Sequence, residues 1–203
     1  ERAGFLHTSP EYAMKRLLCA GAPDIYQISK VFRDGERGRL HNPEFTMIEW
    51  YRLGIDHHAL MDDVERLLGH MFAGRVSPAA SRRLTYRAAF EASLGVDPID
   101  GPVDELASAL AARGADVPAA LAGERDALCD LGLSLSVAPS FPADRITFLH
   151  AFPASQAALA RIEGPVAARF EAFWGSIELA NGFDELGDAA EQDGHGFSLL
   201  RAP

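Results

Sequence analysis

Two alternating runs of apolar and polar residues dominate the first quarter of the chain. From Asp24 to Phe32 (Asp-Ile-Tyr-Gln-Ile-Ser-Lys-Val-Phe) strand-forming residues alternate with polar ones. From Glu44 to Arg52 the alternation puts Phe45, Met47, Glu49 and Tyr51 on one face of a strand and Glu44, Thr46, Ile48 and Trp50 on the other. The two runs are expected to pair across a long polar loop that carries Glu36, Arg37 and Arg39. Arg33 stands at the end of the first run and His41 near the start of the second. Long charged loops between paired strands more often serve function than fold. Ahead of the hairpin, Thr8 and Glu11 read as a capping box with Pro10 in the first turn. The helix they open runs through Met14, Leu17 and Leu18 and stops before Gly21.

After the hairpin the period lengthens to that of a helix. Asp56 caps a segment expected to reach about Val76, with Leu60, Val64, Leu67, Leu68 and Met71 as its apolar stripe. The adjacent His57 and His58 lie in its first turn, point in different directions, and read as surface residues rather than a metal pair. Val76 to Arg83 reads as a linker. From Tyr86 to about Leu133 the chain is alanine-rich and helical in short pieces; Asp104 to Arg113 and Gly123 to Leu131 are the best helices, expected to pack on one edge of a sheet. Ile146 to Phe152 reads as a strand, and Ser155 to Arg161 fits strand or helix. Arg169 to Trp174 alternates and leads into Ile177 to Leu186. In that last run Asn181, Phe183 and Glu185 share a face, whereas Glu178 joins them only through a bulge or a twist. Gly182 permits close approach of the backbone to something else.

Composition narrows the class. The chain has 203 residues, 48% of them hydrophobic and 24% charged, enough for one globular domain with a real core. No run of 18 apolar residues spans a membrane and no signal peptide is visible. Cys19 and Cys129 lack metal-ligand spacing and read as reduced thiols, which points to the cytoplasm. A net charge of −10 argues against a broad nucleic-acid surface. Lys15 and Lys30 are the only lysines; the other basic residues are arginines, suited to phosphate and carboxylate recognition.

The acids exceed what caps and surface roles explain: Glu11, Glu49, Glu178, Asp184, Glu185, Asp188 and Glu191. Glu49, between large apolar residues on a strand, needs a partner. A neighbouring arginine and a bound ligand are both open at this point. An antiparallel sheet lined on one face by acidic and aromatic residues suits a cationic substrate or a metal-bound polyphosphate, because magnesium takes one or two carboxylates besides phosphate oxygens. Arg33 and His41 would hold phosphate, and Phe45 would stack on a base.

These same stretches resemble a known family. Phe32-Arg33 with His41-Asn42-Pro43-Glu44-Phe45-Thr46 is similar to motif 2 of the class II aminoacyl-tRNA synthetases, in the form found in lysyl-tRNA synthetases. Thr8 to Leu17 and Glu178 to Leu186 resemble further blocks of that family. Gly35 to Arg39, Glu49-Trp50-Tyr51 and Phe152 to Ala160 look closer to one branch, the paralogues without an anticodon-binding domain that attach a β-lysine to elongation factor P. The resemblance implies an α+β fold, a class II catalytic domain with an antiparallel sheet flanked by helices. It implies one such domain over residues 1–203, with a helical insertion at 77–135.

It also implies roles. Arg33 would contact the α-phosphate and the substrate carboxylate, and His41 the terminal phosphates, with Glu36, Arg37 and Arg39 close by. Phe45 would stack on adenine, and Glu178 would hold magnesium. Glu11 would meet the α-side of the amino acid, while Glu49, Tyr51, Asn181, Phe183 and Glu185 would form the cavity for it and its amine. The implied reaction is ATP-dependent adenylation of lysine or β-lysine, then transfer to a lysine of elongation factor P. A lysyl-tRNA synthetase-like enzyme acting on tRNA or another carrier, and a binding protein without catalysis, are the alternatives. The family's motif 1, which builds its homodimer, has no counterpart in the chain. Nor does the tail Asp193 to Pro203 match motif 3: its Arg201 is not expected to replace that motif's arginine. Either the sequence is a piece of a longer chain, or the protein is shortened, with ATP binding weakened and catalysis in doubt; the missing anticodon-binding domain disfavours tRNA.

Overall fold

The computed structural model describes residues 4–73 and 81–187. The chain divides into two compact units, Glu1–Ile55 and Asp56–Pro203.

The first unit is a helix and a hairpin. Helix α1 (Glu11–Cys19) buries only Met14. Strands β1 (Ile25–Phe32) and β2 (Glu44–Tyr51) pair antiparallel, with Val31 opposite Phe45, Ser29 opposite Met47 and Gln27 opposite Glu49. Opposed residues share a face, and exposure alternates along β2 from Glu44 to Glu49 as the pattern requires, the Phe45, Met47, Glu49 side being the more buried. The open end is tied by Asp24, which accepts from Arg52 Nε at 2.7 Å and from the Leu53 amide at 2.9 Å. The loop end is closed by the Arg33 amide donating to the Pro43 carbonyl at 2.9 Å. The capping box is not formed. Pro10 occupies the cap without a side-chain bond, and Ser9 Oγ, not Thr8, accepts from the Glu11 amide at 3.0 Å. Proline fixes the entry to the helix and leaves the preceding serine as the nearest acceptor.

The second unit is a sheet with helices on both faces. Helix α2 (His57–Met71) is capped by Asp56, whose carboxylate accepts from the Ala59 amide at 2.8 Å. It ends at Met71, short of the expected Val76, and residues 74–80 lie outside the described part. Met61, Val64 and Leu68 are buried, while Met71 is 63% exposed and drops out of the stripe. His57, expected on the surface, is buried. Part of the expected linker is instead strand β3 (Arg82–Thr85), running parallel to β4 (Ile146–Pro153). The sheet continues through β6 (Val166–Trp174), antiparallel to β4. The far edge of β6 is shared end to end by β5 (Ile162–Glu163) and β7 (Ile177–Phe183), both antiparallel to it. The sheet is thus mixed, antiparallel except at β3. The segment expected as strand or helix contains a 3-10 turn at Ala154–Gln156.

Helices α3 (Tyr86–Leu94), α4 (Val103–Ala112) and α5 (Arg125–Gly132) pack on a face of the sheet and not on its edge. Tyr86, Phe90, Leu106, Leu110 and Leu128 form one core with Leu149 and Phe152 of β4 and Phe173 of β6. On the other face, Phe170 of β6 lies opposite Gly182 of β7. A Cβ on Gly182 would meet the Phe170 ring at 2.4 Å and Leu60 of α2 at 3.3 Å. The expected close approach at Gly182 is therefore ring against backbone, under α2. Both cysteines are free, Cys19 exposed and Cys129 buried.

Candidate active site

In the first unit the site grows from the burial of one carboxylate. Strand parity puts Glu49 on the half-buried face of β2. There it meets no arginine; among the described residues, its partners are two hydroxyls. Ser9 Oγ donates to Oε2 at 2.7 Å and Tyr51 OH donates to Oε1 at 2.8 Å. Neutral donors hold the carboxylate in place and leave its charge uncompensated. Ser9 has a double role, since the same oxygen accepts from the Glu11 amide. Glu11 itself pairs with Lys15 one turn on, at 2.7 Å.

The loop between the strands positions the arginine. Gly35, at φ 79°, takes a left-handed turn that suits glycine. Gly38 and His41 exchange backbone bonds at 3.1 and 3.4 Å, which makes a tight bend beneath Arg39 and Leu40. Arg37, Arg39 and His41 project from this loop as exposed residues. Arg33 is half-buried: Nε donates to the Thr8 carbonyl at 3.4 Å, the guanidinium lies 5.3 Å from the Phe45 ring centroid, and Glu36 approaches at 3.8 Å. Arg33, Phe45 and Glu36 are thus brought together.

In the second unit the register shifts between Ala172 and Phe173. Ala180 opposes Ala172, but Glu178 opposes Phe173, so Leu179 is an extra residue on β7. This one-residue bulge rotates Glu178 onto the face of Glu171, Asn181 and Phe183. Glu171 lies directly opposite Asn181 and is 6% exposed. Burial first, and the charge of Glu178 second, push its carboxyl up to about 7, against the pull of Arg169. Arg169 donates to Glu171 and, at 2.9 Å, to the Gln156 carbonyl, with its guanidinium 4.3 Å from the Phe152 ring centroid. Phe183 packs against Ala157, Ala160 and Ala167. The strand ends there, so parity does not extend to Glu185, whose backbone bridges to Ala160 instead. Asp184, counted among the surplus acids, pairs with Arg161 at 2.7 Å. Asp188, Glu191 and Arg201 lie outside the described residues.

Ser9, Arg169 and Glu171 were not singled out from the sequence. A signal for the last two existed: an arginine and a glutamate two apart on an apolar strand share one buried face. The block Phe152 to Ala160 has a structural use as well. Gln156 Nε2 donates to Asp130 at 2.9 Å and Ser155 Oγ to Asp126 at 2.7 Å, fastening α5 to the end of β4.

Glu171 and Glu178 offer hard oxygen donors on one face, the kind magnesium takes, and Arg169 already bonds Glu171 there. Among the described residues, no helix is long and apolar enough to cross a membrane.

Comparison with known proteins gives the same direction. The family model of class II tRNA synthetases (D, K and N) matches residues 2–196. The elongation factor P (R)-β-lysine ligase of Vibrio parahaemolyticus is 48% identical over 191 residues, covering 93% of this chain and 58% of the relative. The ligases of the same name from Vibrio cholerae and Salmonella gallinarum are 47% identical over 190 residues and 45% over 191, covering 92% and 93% of this chain. The chain spans 57% and 58% of those two relatives.

Proposed function

Because the chain belongs to the family of class II tRNA synthetases (D, K and N), we propose that it carries the adenylating site of an ATP-dependent ligase that activates lysine or β-lysine and passes it to a lysine of elongation factor P. The relatives' names supply the acceptor and the β-lysine. The observation that carries the reading is Glu49, a half-buried carboxylate held by two hydroxyls and neutralised by no cation among the described residues. Such a charge is costly unless the ligand brings the counter-charge. An amino acid with a side-chain ammonium does so.

In the reaction the substrate carboxylate attacks the α-phosphorus of ATP. A bond forms from carboxylate oxygen to phosphorus, the bond to the β-phosphate oxygen breaks, and pyrophosphate leaves. The acceptor amine then attacks the acyl carbonyl, releasing AMP and one proton. No protein nucleophile is required; catalysis is positioning and electrostatic stabilisation. Arg33 would hold the α-phosphate and the carboxylate, with Phe45 as the base-stacking surface. His41 and Arg39, exposed on the loop, would take the outer phosphates, with Glu36 orienting Arg33. Glu49 and Tyr51 would take the side-chain amine and Glu11 the α-side. In the second unit Asn181, Phe183 and Glu185 are the residues the family resemblance assigns to amino-acid binding. Glu178 and Glu171 would hold magnesium, which when bound neutralises phosphate charge.

Incubating the protein with ATP, magnesium, β-lysine and elongation factor P tests this. Intact-mass analysis is expected to show one β-lysyl addition on the factor, dependent on ATP. A lysine-charged RNA with no modified protein would overturn the acceptor.

A further inference from the structure

On the opposite face of the second unit, under the start of α2, three imidazoles meet. His57, His58 and His150 each offer one ring nitrogen, and the three atoms lie within 4.8 Å of one another. The His57 and His58 ring centroids are 4.1 Å apart, and those of His58 and His150 are 5.4 Å apart. Two ligands come from the first turn of α2 and the third from β4, at the point where its register with β6 shifts after His150.

We propose that His57, His58 and His150 form a zinc-binding site that fastens the N-terminus of α2 to strand β4. Two arguments carry it. First, the side chains are of one ligand type, the imidazole that suits zinc among divalent ions, and three of them leave a fourth position for water. Tetrahedral zinc at about 2.0–2.1 Å from each nitrogen needs nitrogens about 3.4 Å apart. Binding would draw the nitrogens in from within 4.8 Å to that spacing, and His58, exposed, gives the ion a way in. Second, His57 is only 6% exposed, yet its Nδ1 has no hydrogen-bond partner. A buried imidazole nitrogen left without a partner costs free energy that a metal bond would offset. The charges around the cluster are largely paired. Asp56 precedes His57, while Glu163 and Asp184 both pair with Arg161. The positive charge near His150 is Arg83, which is itself paired with Asp62 and with Glu65. This site uses none of the residues assigned to adenylation, and its test does not depend on that reading.

The test is zinc binding by the full chain after stripping with a chelator, read by competition with a chromophoric chelator and by thermal unfolding with and without Zn2+. One equivalent is expected, with a rise in Tm. His58→Ala, at an exposed position, is expected to weaken binding at least tenfold and abolish the Tm rise while leaving the circular dichroism spectrum unchanged. His150→Gln should do the same. His70→Ala, at the other end of α2, should bind as the parent does. Zinc binding that survives His58→Ala, or that is lost equally in His70→Ala, would overturn the site, as would no binding by the parent protein.

Discussion

Ser9 Oγ and Glu49 Oε2, forty residues apart in the chain, are joined by a hydrogen bond of 2.7 Å. With Tyr51 on the other oxygen at 2.8 Å, the carboxylate is fixed by neutral donors on both sides. The arrangement orients the charge without neutralising it, as recognition of a cationic side chain requires. Removing either donor frees one oxygen and loses about 1 kcal/mol of positioning. Ser9→Ala and Tyr51→Phe are each expected to raise KM for the cationic amino acid by about fivefold to tenfold. KM for ATP should change little, and steady-state kinetics with each substrate varied in turn checks this.

The burial of Glu171, with the charge of Glu178 second, gives a pH dependence. The Glu171 carboxyl stands near 7 in the folded chain against an ordinary value of 4.5. The folded state therefore holds a proton that the unfolded state releases between those values. The contribution of Glu171 to stability, read as the difference between the parent and Glu171→Gln, is expected to fall as pH rises from about 4.5 to about 7, by up to about 3 kcal/mol, and then to level off. Glu171→Gln removes that slope. Urea unfolding at a series of pH values, without metal, measures both.

Magnesium should act in the opposite sense, because it binds the ionised pair. Glu178→Gln and Glu171→Gln are each expected to raise the magnesium concentration for half-maximal activity at least tenfold. A Mg2+ titration of pyrophosphate release in each variant gives the comparison.

Gly182 carries the packing beneath that pair. A methyl group there would stand 2.4 Å from the Phe170 ring, and Leu60 is close behind. Gly182→Ala is expected to cost about 1–3 kcal/mol through displacement of a buried ring. Thermal unfolding reads the loss, and Phe170→Leu in the same chain should recover part of it.

Much of this was legible in sequence where a local period met a single buried face. The two strands Ile25–Phe32 and Glu44–Tyr51, and the face shared by Phe45 and Glu49, follow from alternation alone. That Glu178 needs a bulge or a twist to join the face of Asn181 was also legible from its parity, and the structure supplies an extra residue at Leu179. Features set by distant partners were not. Glu49 reads equally as an arginine partner until Ser9, forty positions earlier, is placed against it. His57 looks like a surface residue of a helix start until His150, from a strand far along the chain, is packed beside His58. Strand β3 is four residues long and takes its identity from pairing with Arg82 to Thr85 opposite Thr147 to His150, which no local period announces.

The most direct measurement is amino-acid-dependent ATP–pyrophosphate exchange by the parent protein and by Glu49→Gln, with β-lysine and lysine side by side. The account predicts exchange that requires a cationic amino acid and falls about 100-fold or more in the variant, since a buried charge pair is worth about 3 kcal/mol or more once one partner is removed. Exchange that is unchanged in Glu49→Gln, or that proceeds equally with an uncharged amino acid of the same length, would contradict it.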